Sequence, residues 1–162
     1  MSKKQKKKVQ SKFSKNKIIG IGVIVVIVAI TAHFGISSMI PVNGSVPIFA
    51  APGNTYIKAL HSSDSGYVFG SQSLTSGKKS VGSSHANPTI HLTKGELESI
   101  HLINEDKDTG SKHNINIDEF NVHTKDLAYF ETQTITFIAD KQGSFHYYCT
   151  IHPEMTGTVT VE

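Results

Sequence analysis

Residues 147–155 read Tyr147-Tyr148-Cys149-Thr150-Ile151-His152-Pro153-Glu154-Met155. This stretch holds the single cysteine of the 162-residue chain and the only methionine beyond residue 40. A thiolate, an imidazole and a thioether therefore fall within seven residues. A lone cysteine is ordinarily a small core hydrophobe. Thiolate and thioether on one short loop are instead a soft donor set, which selects copper over the hard cations. One further imidazole would complete a His2Cys trigonal set with a weak axial methionine, the ligand set of a blue-copper electron-transfer centre. His113 is the best-placed supplier. It lies in the short strand-like run Ser111-Lys112-His113-Asn114-Ile115-Asn116-Ile117.

The order Cys149-x2-His152-x2-Met155 is preceded by aromatics and followed by Thr156-Gly157-Thr158-Val159-Thr160-Val161. It resembles the ligand loop and last strand of the plastocyanin/amicyanin family of cupredoxins. The short His-to-Met spacing, with Pro153 directly after His152, is closer to amicyanin than to plastocyanin. His113 followed by Asn114 matches the family's first ligand and its neighbouring Asn. The resemblance covers residues 87–162, whereas residues 41–86 match only loosely. It implies a Greek-key β-sandwich holding one mononuclear type 1 copper ion through His113, Cys149, His152 and Met155. It also implies that Asn114 ties the His113 segment to the ligand loop at Thr150. By the same resemblance Met155 takes the axial position ahead of Glu154, whose carboxylate would give a red-type site. His152 is then the solvent-side ligand, with Ile151 and Pro153 flanking it as a small apolar docking patch. Pro153 has no N–H to offer near the Cys149 sulfur.

Charge divides the chain sharply. All 16 basic residues are lysines, and eight of them lie in the first seventeen positions. From Pro41 onward eight lysines face thirteen carboxylates, a net charge of −5 against +3 for the whole chain. A basic tail can mark a nucleic-acid partner, but the apolar run beside this one argues against that. Residues 18–40 run for twenty-three positions without a carboxylate or lysine, long enough to cross a bilayer. The expected organisation is a basic cytoplasmic tail (1–17), a transmembrane helix (18–40), a linker (41–54) and a cupredoxin domain (55–162). The lysine run places the N-terminus in the cytoplasm and the domain on the extracytoplasmic face of the cell membrane. A cleaved signal peptide is the rival reading. An unpaired cysteine outside the cell needs a reason, and metal ligation supplies one. A single cysteine also excludes a binuclear copper centre with two bridging thiolates.

Three prolines in residues 41–53 forbid a regular helix there. Strands are expected at Tyr56–His61 and Tyr67–Phe69, then a Ser/Gly-rich surface loop or hairpin tip over 71–84. Thr89–Leu92, Glu98–Asn104, His113–Ile117, Gln133–Ile138, Ser144–Tyr148 and Gly157–Val161 alternate between turns, which predicts an all-β sandwich. Glu119–Glu131 has room for one helical turn. His61, His85, His91, His101, His123 and His146 read as solvated strand histidines, with a second metal site left open, above all at His91 and His101.

The expected function is a membrane-anchored one-electron carrier with redox proteins as donor and acceptor, and not an enzyme. A copper-handling chaperone or store competes, though such proteins favour Met- and Cys-rich sites. A subunit of a copper oxidoreductase is the third reading, and a metal-free adhesion module the fourth. The last leaves the Cys-His-Met loop unexplained.

Overall fold

Alternation in the second half of the chain becomes two sheets, because period-two burial gives each strand one apolar face to hide. In a computed structural model, residues 15–37, 39–71 and 86–162 are described. The basic tail up to residue 14 and the Ser/Gly-rich stretch from residue 72, with His85, lie outside them. The chain divides into two units, residues 1–38 and 39–162.

The described residues of the first unit form one helix, α1 (Lys15–Ser37). Its segment Ile18–Ile36 is long and apolar enough to cross a membrane. The side chains from Ile18 to Ile36 are exposed, and an apolar helix of this length can be taken up by lipid. Thr31 returns its hydroxyl to the carbonyls of Ile27 and Val28, both at 3.0 Å, which satisfies its polar group inside an apolar run. A membrane anchor and a signal peptide both fit this helix.

The second unit contains β1 (Gly53–Ser62), β2 (Gly66–Ser71), β3 (Ile90–Leu92), β4 (Leu97–Asn104), β5 (Asn116–Ile117), β6 (Val122–His123), β7 (Thr132–Ile138), β8 (Gly143–Tyr148) and β9 (Thr156–Val161). One sheet has the order β2-β1-β4-β7, the other β3-β9-β8-β5-β6. Pairs β1/β4 and β3/β9 are parallel, and the rest are antiparallel. The core lies between the sheets and includes Ile57, Phe69, Ile100, Leu102, Phe120, Phe137, Tyr147 and Val159. The helical turn expected within Glu119–Glu131 is met at the start of that stretch by a 3-10 turn, Asp118–Phe120.

Three sequence readings change. The run His113–Ile117 is a strand only at its end, while His113 makes an isolated bridge to Leu127. Pro41–Asn43 is not a free spacer. Val42 donates its N–H to Thr136 O (2.8 Å), and Asn43 exchanges two bonds with the Ile138 backbone (2.7 and 2.8 Å). This covers the open edge of β7, which would otherwise present unpaired backbone groups. His91 and His101 sit in different sheets. His101 stacks on Tyr56 and places its two nitrogens on Asn54 and Thr134, so the pair does not form a second metal site.

Candidate metal centre

The ligand loop is a short link between β8 and β9, closed by its own backbone. Cys149 N–H donates to Met155 O at 3.0 Å, and Met155 N–H to His152 O at 2.9 Å. Cys149 and Met155 are buried at the two ends of the loop, 1% and 0% exposed. His113 enters from another element, fixed by reciprocal bonds with Leu127 (3.1 and 2.8 Å). One donor atom each from His113, Cys149 and His152 lies within 4.8 Å of the others. Cys149 Sγ and His152 Nδ1 are 3.9 Å apart. Metal–sulfur and metal–nitrogen bonds of about 2.3 and 2.0 Å at trigonal to tetrahedral angles would separate them by about 3.5–3.7 Å.

Each imidazole has its far nitrogen engaged. His113 Nε2 lies 3.2 Å from Asp106 Oδ2, with both side chains fully buried. His152 Nε2 lies 3.1 Å from Ser111 Oγ. The nitrogen left on each ring is Nδ1. Among the described residues, His113 Nδ1 is the one buried side-chain nitrogen or oxygen without a hydrogen-bond partner.

Burial pushes His113 down from the ordinary imidazole range, and the neighbouring His152 adds to this against the opposing pull of Asp106. Burial alone would raise Asp106. The hydroxyl and N–H of Thr109, together with His113, outweigh it and hold the carboxyl below its usual range. Both directions give a neutral ring beside an ionised carboxylate. A carboxylate only accepts, so the ring proton sits on Nε2 and Nδ1 carries a lone pair. That is the protonation state a metal ligand requires.

Asn114 bridges the two segments. Its Nδ2 donates to Thr150 Oγ1 (2.6 Å) and Asp126 Oδ1 (2.7 Å), and its Oδ1 accepts from Thr150 N (2.9 Å) and Asn116 Nδ2 (2.9 Å). His152 differs from the sequence reading. It is only 9% exposed, because Tyr67 packs over it with ring centroids 3.9 Å apart and Ser111 occupies its outer nitrogen. Ile151 (40% exposed) and Pro153 do lie at the surface. Sequence reading missed Tyr67, Asp106 and Ser111. The spacing Asp106-x2-Thr109 marks a turn, and nothing in it announces a buried carboxylate.

Fold and site together define a copper-binding β-sandwich. Residues 82–161 match the family model described as a cupredoxin-like domain, and the two packed sheets have the cupredoxin fold. Its His-Cys-His cluster is compatible with one type 1 copper ion. A copper nitrite reductase from Nitrosomonas europaea is similar in fold, with 20% identity and a TM-score of 0.51 over 69% of this chain. The chain spans 42% of that enzyme's length. An auracyanin from Roseiflexus castenholzii is 16% identical over 70% of this chain and 99% of its own, TM-score 0.47. A reduced Cu(I) amicyanin variant is 18% identical over 71% and 86%, TM-score 0.39. No curated protein matches the chain in sequence.

Proposed function

We propose that the protein is a membrane-anchored one-electron carrier with a single type 1 copper held by His113, Cys149, His152 and Met155. The observation that carries this reading is His113 Nδ1, buried and unpartnered within the cluster that contains Cys149 and His152. A buried polar atom left unpaired costs about 1–3 kcal/mol, and a metal ion would relieve it. Copper, when bound, supplies the Cu(II)/Cu(I) couple. The chain supplies stiffness. Backbone bonds fix both ends of the ligand loop, and Asn114 locks it to the His113 segment, so the ligands change little between oxidation states.

Four protein ligands in a buried set leave no open position for a substrate, unlike a catalytic metal, so the domain passes electrons and turns over nothing itself. Donor and acceptor are redox proteins docking near Ile151 and Pro153. The N-terminal lysines and the apolar run behind them support a domain on the extracytoplasmic face of the cell membrane. Cu(II)-loaded protein should show an intense thiolate-to-copper band toward the red end of the visible spectrum, and Cys149→Ser should abolish it. A band that survives the substitution, or steady turnover of nitrite or oxygen, would overturn the reading. The full chain should stay in the membrane fraction after a carbonate wash; a shortened, freely soluble mature protein would replace the anchor with a signal peptide.

A further inference from the structure

Asp106 is 1% exposed, and its side chain is fully buried. The turn around it is built to receive it. Oδ1 accepts the Thr109 N–H at 3.0 Å, Oδ2 accepts the Thr109 hydroxyl, and Oδ2 also faces His113 Nε2 at 3.2 Å. The Asp106 N–H donates to Asn104 Oδ1 at 2.8 Å. Asn104, itself fully buried, donates to Ser111 O and Leu127 O, each at 2.8 Å. Leu127 in turn bridges to His113. Carboxylate and imidazole are thereby held in register by one hydrogen-bonded unit.

Charge makes this more than a structural clasp. An ionised carboxylate is costly to bury without a counter-charge. Among the described residues no lysine pairs with Asp106, and its one ion-pair partner is His113. A neutral imidazole gives a hydrogen bond and no full charge. A cation on the opposite nitrogen would compensate the carboxylate through the ring. Carboxylates placed in this way behind a ligating histidine fix its tautomer and raise its donor strength.

We propose that Asp106 is a positioning residue that holds His113 as the Nε2–H tautomer with Nδ1 free for the metal, and that its charge biases the site toward Cu(II). The proposal rests on the copper reading above. Cu(II) carries one charge more than Cu(I), so an anion behind its ligand favours the oxidised ion and lowers the potential.

Two substitutions separate charge from packing. Asp106→Asn keeps an acceptor oxygen and removes the charge. The copper-loaded variant should favour Cu(I) at least tenfold more than the native protein, a rise of about 59 mV for one electron. Thr109→Val removes one donor from the carboxylate at nearly constant volume and leaves a stronger acceptor for His113, so its potential should fall. Shifts of the same sign in both variants, or an Asp106→Asn shift below twofold, would overturn the proposal as mere loosening. Nitrogen NMR of the metal-free native protein gives a readout without copper. It should show the His113 proton on Nε2, and a proton on Nδ1 would refute the role. Should Asp106→Asn not fold, the sign of the Thr109→Val shift and the native tautomer decide. A native protein without the thiolate–copper band would instead defeat the copper reading, which the metal-free tautomer does not test.

Discussion

Replacing Asn114 with alanine removes the side chain that joins the His113 segment to the ligand loop. Asn114 is 4% exposed and takes part in four hydrogen bonds. A net bond is worth about 0.5–1.5 kcal/mol, and a buried donor left unpaired costs about 1–3 kcal/mol. The partners are not equivalent. Thr150 and Asp126 are exposed, so water replaces what they lose. Asn116 is 6% exposed; its Oδ1 keeps His123 Nδ1 at 3.0 Å, but its Nδ2 would retain only a 3.4 Å bond to Tyr148 O. The sum is roughly 2–4 kcal/mol, most of it at Asn116 and in the loss of the loop tie. For a domain of this size that is a fall in Tm of roughly 10 °C. The assay is urea unfolding of the metal-free protein, since bound metal would add its own stabilisation. Thr150→Ala should cost less, because it keeps the N–H that donates to Asn114. The two substitutions should be strongly non-additive, as neighbours in one network are. A loss below about 0.5 kcal/mol for Asn114→Ala would refute the reasoning. It would mean that the loop is held by its own backbone bonds and that the bridge contributes little.

Three further outcomes are expected. Gly157 faces Tyr147 across β8 and β9, and a Cβ there would run into the ring and hydroxyl of Tyr147, which donates to Pro88 O at 2.6 Å; Gly157→Ala should therefore cost about 1–3 kcal/mol or more in thermal unfolding, the usual penalty of overpacking. Burial raises the Glu98 carboxyl, Glu96 adds to this and a Thr93 backbone bond opposes it, so the folded state holds this proton more tightly than the unfolded chain and the stabilisation, complete below the ordinary carboxylate range, is lost as pH rises through the raised value. Glu98→Gln should accordingly gain stability over the native protein between about pH 4 and 7, and a difference in urea midpoint that does not grow with pH would refute this. Ile151→Glu should slow electron exchange with a protein partner in stopped-flow while leaving the absorption band unchanged; an unaltered rate would move the docking surface elsewhere.

Legibility tracked sequence distance. The ligand loop could be read because its three donors are local, and spacing alone puts them on one turn between two strands. Alternation marked β4 and β7, where Ile100 and Leu102, and Ile135 and Phe137, are buried while His101 and Thr136 between them are less so. His113 was marked by its strand-like run upstream of the loop, and its following Asn114 matched the resemblance, although no local pattern alone separates it from the other strand histidines. Three residues stayed hidden. Tyr67 covers His152 from a hairpin far upstream, and aromatic strand residues ordinarily read as core. Ser111 is one more hydroxyl in a polar turn. Asp106 is hidden by a sound prior, that aspartate is almost never fully buried. Pro41–Asn43 read as a spacer because proline content reports what a segment cannot form; it does not show that the β7 edge lacks a partner.

One short turn serves both imidazoles. Asp106 and Ser111 both lie in the polar stretch Glu105–Ser111, and each takes the outer nitrogen of a different imidazole. The turn is held by Asn104, which accepts from Asp106 N and donates to Ser111 O. A single rigid turn therefore aims both rings, leaving two Nδ1 atoms to converge on the Cys149 sulfur. The two partners differ in charge. His113 is backed by a buried carboxylate and His152 by a neutral hydroxyl beneath Tyr67. The inner imidazole is thus the stronger donor and the more firmly oriented ring. The outer one is held at its far nitrogen by a single neutral bond and by the ring of Tyr67.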